Sequence, residues 1–174
     1  MELAKKVEAI KIKDSEISAF YNRYPNVRTS HILVRYPVDA SPTQIQEAKQ
    51  RAQTIYGKVV KSNRPFKELV GLYSEDEISK ASEGDIGYQS ILTLHPAYYE
   101  TARKLRQGQI AGPVQTRFGF HILQLTGVQP FSEANKEQVR IALFDDKRKN
   151  IVDNYFKDLK KQYQISINPE ALKK

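Results

Sequence analysis

The amino-acid sequence predicts an α+β fold. Two apolar, β-branched runs, "VRTSHILVRYP" and "FGFHILQLTGVQ", read as strands and lie far apart in the chain. Helical patterns fill the space between them and follow the second, without the regular strand and helix alternation of a parallel sheet. A length of 174 residues suits one domain, or one domain with a small appendage.

Each element follows from local chemistry. In "DSEISAFYNRY", Asp14 or Ser15 caps a helix, Ile17, Phe20, Tyr21 and Tyr24 recur at helical spacing, and Pro25 ends it. "VRTSHILVRYP" is a strand terminated by Pro37. "SPTQIQEAKQRAQTIYGKVVKS" is a helix: Ser41 caps it, Pro42 suits its first position, and Ile45, Ala48, Ala52, Ile55 and Val59 form one stripe. "PFKELVGLYS" makes a shorter helix. The polar stretch from Glu75 to Gly87 reads as a loop, followed by an extended "DIGYQS", a helix opened by Pro96 in "PAYYETARKL", and a glycine-bounded turn at "RQGQIAG". "PVQT" and "FGFHILQLTGVQ", separated by Arg117, form a hairpin. A long helix runs from about Ser132 to Tyr163, with a stripe of Ile141, Phe144, Ile151, Val152, Tyr155, Phe156, Leu159 and Tyr163, and a strand-like "QISINPEALKK" closes the chain.

Composition removes several functions. The chain has no cysteine, which excludes disulfides, thiolate catalysis and cysteine-based metal centres. No run of about 18 apolar residues could span a membrane, and "MELAKKVEAIKIKD" lacks the apolar middle of a signal peptide. The net charge of +8 raises nucleic acid as a partner. The excess is diffuse, however: Lys and Arg outnumber Asp and Glu by 5 to 4 in the first 27 residues, 13 to 9 over 28–131, and 10 to 7 thereafter. No aromatic RNA-binding signature accompanies it, so no specific nucleic acid is expected.

Both strands carry His-Ile-Leu, at His31 and His121, in a chain with three histidines. Their flanks differ in order, which argues against a repeat. A single histidine in an apolar strand is ordinarily a hydrogen-bonded core residue. Two on strands near the centre of a small sheet can meet across it and share one site. Zinc would need three or four ligands, and His31, His121 and Asp76 lack the short spacings that anchor such sites. No serine occupies a G-x-S-x-G elbow. No metal or cofactor is expected.

Four ordered pieces, "RTSHILV", "PFKELVGLYSED", "SKASEGDIGY" and "LHPAYYETARKLRQGQIAGPVQTRFGFHILQL", resemble the parvulin-type (PpiC, rotamase) peptidyl-prolyl cis–trans isomerases, above all bacterial foldases of the SurA, PrsA and PpiD kind. The resemblance covers Val27 to Val128 and rests on the order and spacing of the pieces together. It implies a parvulin-like, FKBP-like domain with a small antiparallel four-stranded sheet surrounded by helices. By it, His31 and His121 are the paired core histidines, Asp76 faces them, and Thr116 hydrogen-bonds into the pair. Ile86, Leu94, Tyr98 and Phe118 line the slot for the proline ring, while Gly84, Gly87 and Gly119 shape loops. Glu83 stands where many members have glycine, Leu92 replaces a common glycine, and Arg103 a common phenylalanine. The short, nearly uncharged "YPVDASP" after the first strand argues against selectivity for phosphorylated Ser/Thr-Pro.

An X-Pro bond has a rotation barrier of about 18–20 kcal/mol, yet its isomers differ by under about 1 kcal/mol. A catalyst therefore needs no nucleophile; it must bind the twisted amide better than either planar form. The resemblance implies an isomerase acting on extended or unfolded polypeptide, or alternatively a parvulin-fold binding module with little turnover. It divides the chain into an N-terminal helical flank (1–27), an isomerase domain (28–130), and a long C-terminal helix with its tail (131–174). The flanks either build a separate chaperone domain or the tail helix packs on its own isomerase domain, another segment or another chain. A periplasmic or extracytoplasmic location is implied by the family alone.

Overall fold

The computed structural model describes residues 2–163 and divides into two compact units. One spans Tyr21–Ala134; the other joins the described residues of Met1–Phe20 to those of Asn135–Lys174.

Within the second unit, α1 (Glu2–Glu8), which the sequence pattern did not disclose, packs against α7 (Lys136–Tyr163). The first turns of α2 (Asp14–Arg23) are tied to α7 by charge: Asp14 pairs with Arg140 at 3.0 Å and Glu16 with Lys147 at 2.7 Å. The Lys147 ammonium also donates to the Lys11 carbonyl at 3.0 Å. The expected stripe on α7 needs correction in part. Phe144, Ile151, Val152, Tyr155 and Leu159 are half-buried, but Ile141 and Phe156 are about half exposed, at 49% and 53%, and Val139, Ala142 and Leu143, outside the stripe, are buried. Helix α7 also starts later than expected, after a 3-10 turn at Phe131–Glu133. The expected strand-like tail lies outside the described residues.

The first unit is built on a four-stranded antiparallel sheet in the order β2-β1-β4-β3, as the resemblance implied. The strands are β1 (Val27–Arg35), β2 (Asp85–Gln89), β3 (Ile110–Thr116) and β4 (Gly119–Val128). Alternation along the two central strands sends their residues to opposite faces. Ile32, Val34, Phe120 and Ile122 meet α3 (Pro42–Val60) and α4 (Phe66–Tyr73) on one face. Val27, Leu123 and Leu125 meet α6 (Pro96–Ala102) on the other, through Tyr98, Tyr99 and Ala102. Each fully buried aliphatic side chain contributes about 1.5–3 kcal/mol relative to exposure. Helix α3 begins with a capping box: Ser41 Oγ accepts from the Gln44 N–H and Gln44 Oε1 accepts from the Ser41 N–H.

Three local expectations change. The stretch read as loop contains a one-turn helix, α5 (Glu77–Lys80), whereas β2 falls where the extended "DIGYQS" was expected. Strand β3 reaches back to Ile110, into the segment read as a glycine-bounded turn, because Ile110 and Ala111 pair with Gln124 and Leu123. The hairpin turn between β3 and β4 comprises Arg117 and Phe118, not Arg117 alone.

Two glycines are sterically required. A Cβ on Gly119, at φ +145°, would lie 2.2 Å from the Val34 carbonyl oxygen. One on Gly84, at φ +81°, would lie 2.7 Å from the His31 carbonyl oxygen, which is how the loop can lie against β1 and accept from the His31 N–H at 2.9 Å. Glu83, just before it, adopts φ 57°. Pairing between β1 and β2 is interrupted by a bulge, and there the Gly87 N–H donates to Asp85 Oδ1 at 2.9 Å while the Ile86 carbonyl accepts from Gln89 Nε2 at 2.8 Å.

Candidate active site

Register brings the two histidines together. In the β1 and β4 pair, His31 lies opposite Leu123 and His121 opposite Leu33, so the imidazoles occupy one sheet face in diagonal positions. Their ring centroids are 5.1 Å apart and the two Nδ1 atoms 3.3 Å apart. Both residues are buried.

A continuous polar chain runs through them. Asp76, immediately before α5, places Oδ2 3.0 Å from His31 Nε2. At the other end Thr116 Oγ1 is 2.8 Å from His121 Nε2 and accepts from the Phe118 N–H at 3.2 Å. The protons follow from this arrangement. A carboxylate can only accept, so His31 Nε2 carries its proton and Nδ1 is left as an acceptor. His121 must then donate from Nδ1, its Nε2 accepts from the Thr116 hydroxyl, and every member is satisfied with both rings neutral.

Electrostatics agree. Burial lowers His121, with the neighbouring His31 ring adding to the effect, to a pKa of about 3. Burial likewise lowers His31, against the opposing influence of Asp76. Burial alone would raise the Asp76 carboxyl, but hydrogen bonds from Ser79 and His31, together with the charge of Arg35, hold it below the ordinary carboxylate range. Asp76 is thus an anion beside two neutral imidazoles. Tyr98 backs the pair, its ring edge-on to His121 at 5.3 Å and its hydroxyl 2.9 Å from Thr29 Oγ1.

Over this chain lies a pocket of about 430 Å³, within the range of small-ligand sites. All eight site residues singled out from the sequence line it: His31, Asp76, Thr116 and His121 on the polar side, and Ile86, Leu94, Tyr98 and Phe118 around it. They are not equivalent. Tyr98 is 2% exposed and contributes floor, whereas Phe118, at 53%, stands at the lip on the β3–β4 turn with the Arg117 guanidinium 4.7 Å from its ring centroid.

Sequence reasoning missed several members. Ser79 donates to Asp76 Oδ2 at 2.7 Å and lies 3.0 Å from His31 Nε2. Its three-residue spacing from Asp76 was a usable signal, hidden because the segment read as loop. Arg35 lines the pocket and pairs with Asp76 Oδ1 at 3.2 Å. His95 lines it too, so all three histidines of the chain border one pocket. Among the described residues no group of three or more His, Cys, Asp or Glu is placed to hold a metal ion, and no helix is long and apolar enough to cross a membrane.

Known proteins share the fold. The family model "Rotamase: PPIC-type PPIASE domain" matches residues 31–127. "Foldase protein PrsA" of Caldanaerobacter subterraneus subsp. tengcongensis is 29% identical over 177 residues, covering 98% of this chain and 53% of the relative. A crystal structure of peptidylprolyl isomerase (PrsA) from Bacillus cereus superimposes with a TM-score of 0.60 at 27% identity, covering 98% of this chain and 62% of that one. The corresponding structure from Bacillus anthracis gives a TM-score of 0.52 at 27% identity, over 95% and 70%. The chain spans about half the length of the curated relatives it matches.

Proposed function

The chain belongs to the rotamase family of PPIC-type PPIase domains, and on that premise we propose that it is a peptidyl-prolyl cis–trans isomerase acting on extended or unfolded polypeptide. The observation that carries the reading is the unbroken polar chain of Asp76, His31, His121 and Thr116 beneath a largely apolar pocket with room for a proline and its neighbours.

In this mechanism Ile86, Leu94, Tyr98 and Phe118 seat the proline ring and leave the preceding carbonyl to swing. A planar amide owes its barrier to a resonance form with negative charge on oxygen. An anionic Asp76 on the carbonyl side disfavours that form and so favours the twisted amide, in which the charge separation is lost. His31, His121 and Thr116 hold the carboxylate in place and supply no proton; no covalent intermediate is needed. Kinship with foldases supports clients that are folding outside the cytoplasm, in a periplasmic or extracytoplasmic space. It also supports an isomerase domain over 28–130 between flanks that bind clients or other segments.

The test is NMR exchange on a short X-Pro peptide with the full chain. Exchange above the uncatalysed rate is expected, with Asp76→Ala and His121→Ala losing about 100-fold. A wild-type rate equal to the uncatalysed one refutes the isomerase, and full activity in both variants refutes the site. The exposed Ile141 and Phe156 on α7 favour a second reading, a chaperone with little turnover. It predicts that Asp76→Ala still suppresses aggregation of an unfolded client.

A further inference from the structure

Asp76 sits in a three-residue connection, 74–76, between α4 and α5, and this connection is fastened to the end of β1. The Glu75 N–H donates to the Leu33 carbonyl at 2.8 Å. The Glu75 carboxylate accepts from the Arg35 N–H at 2.7 Å through one oxygen and from Arg51, on α3, at 2.7 Å through the other. Arg51 also donates to the Arg35 carbonyl at 3.0 Å. Arg35 in turn donates from Nε to the Glu75 carbonyl at 2.9 Å and pairs with Asp76. We infer that Arg51 and Glu75 are positioning residues for the isomerase site: their clamp fixes both the backbone that presents Asp76 and the guanidinium of Arg35 that aims its carboxylate.

The inference rests on the isomerase reading, and exposure makes it separable from fold maintenance. The side chains of Arg51 and Glu75 are 54% and 40% exposed, and ion pairs so exposed add little to stability. Their geometric effect is not so limited, because a displacement of about 1 Å at a reacting centre can cost about 100-fold in rate.

The experiment compares wild type, Arg51→Gln, Glu75→Gln, the double variant and Arg51→Lys, all in the full chain. Arg51→Gln lowers kcat about tenfold with little change in KM, while Tm falls by no more than about 3 °C. The double variant is no worse than the worse single one, since both remove the same clamp. Arg51→Lys, which keeps the charge but not the fork, lies between. The carboxyl of Asp76, followed by NMR, titrates at higher pH in Arg51→Gln than in wild type, because Arg35 no longer holds its place. Lys149→Gln breaks an exposed pair with Asp153 on α7 and leaves every readout unchanged. Wild-type kcat and an unmoved Asp76 titration in Arg51→Gln overturn the inference. An inactive wild type overturns the isomerase reading instead, and the Asp76 titration then decides the clamp by itself.

Discussion

Acid should destabilise the sheet-bearing unit, Tyr21–Ala134, well above the pH at which its carboxylates titrate. His121 is neutral in the folded chain with a pKa of about 3, whereas an imidazole in an unfolded chain titrates near 6.5. The folded pKa is the lower one, so the unfolded state binds the extra proton. The contribution of the neutral ring is complete above about pH 6.5 and is lost as the pH falls from there toward about 3. At pH 5 the unfolded imidazole is protonated roughly 30-fold over neutral while folded His121 is not, and one and a half pKa units at about 1.36 kcal/mol each amount to about 2 kcal/mol. His31 is lowered too and acts in the same direction. Asp76 does not blur the window, because its carboxyl is held below the ordinary range and its contribution, complete above the unfolded value of about 4, is lost only as the pH falls from there through the lower folded value. Urea unfolding followed by near-ultraviolet circular dichroism at pH 7 and pH 5 measures the difference through the midpoint at constant slope. His121→Gln, which cannot titrate, should show a drop smaller by about 2 kcal/mol. Equal stability of the wild type at the two pH values, or an equal drop in His121→Gln, would refute the neutral-pair reasoning.

Other expectations are more local. Gly119→Ala forces a Cβ into the Val34 carbonyl at positive φ and should destabilise by more than about 2 kcal/mol in the same urea assay. Glu83→Gly relieves a left-handed non-glycine residue and should stabilise by up to about 1 kcal/mol, its exposed pair with Lys67 being of little weight. Tyr98→Phe strips the partner from the buried Thr29 hydroxyl and should cost about 1–3 kcal/mol in thermal unfolding while retaining the ring against His121.

How much of this was legible in the sequence depended on whether a signal was periodic or tertiary. β1 and β4 were legible because β-branched residues alternate along them, and the paired histidines followed from placing both at the centre of a small sheet. The capped start of α3 was legible from Ser41 and Pro42. α5 was not, since four residues complete only one turn and carry no stripe, and Ser79 went unseen with it. On α7 the stripe was legible in part: Phe144, Ile151, Val152, Tyr155 and Leu159 are half-buried, but Ile141 and Phe156 are exposed and the buried Val139, Ala142 and Leu143 were missed, because a polar-rich helix of 28 residues offers several weak apolar lines. Arg35 and Arg51 were invisible as site residues for a different reason: their meaning lies in partners 41 and 24 positions away, which only the folded connection brings near.

The bulge in β2 bears on release as much as on shape. A protein that handles extended chains risks becoming a template for them, since an open strand edge invites one more strand. Here two backbone groups of the bulge are already occupied by the side chains of Asp85 and Gln89, and on the opposite edge Pro113 in β3 has no N–H to offer. On the isomerase reading, a client in the pocket is therefore held by its proline ring rather than zipped along a ladder. It can leave when the bond has turned.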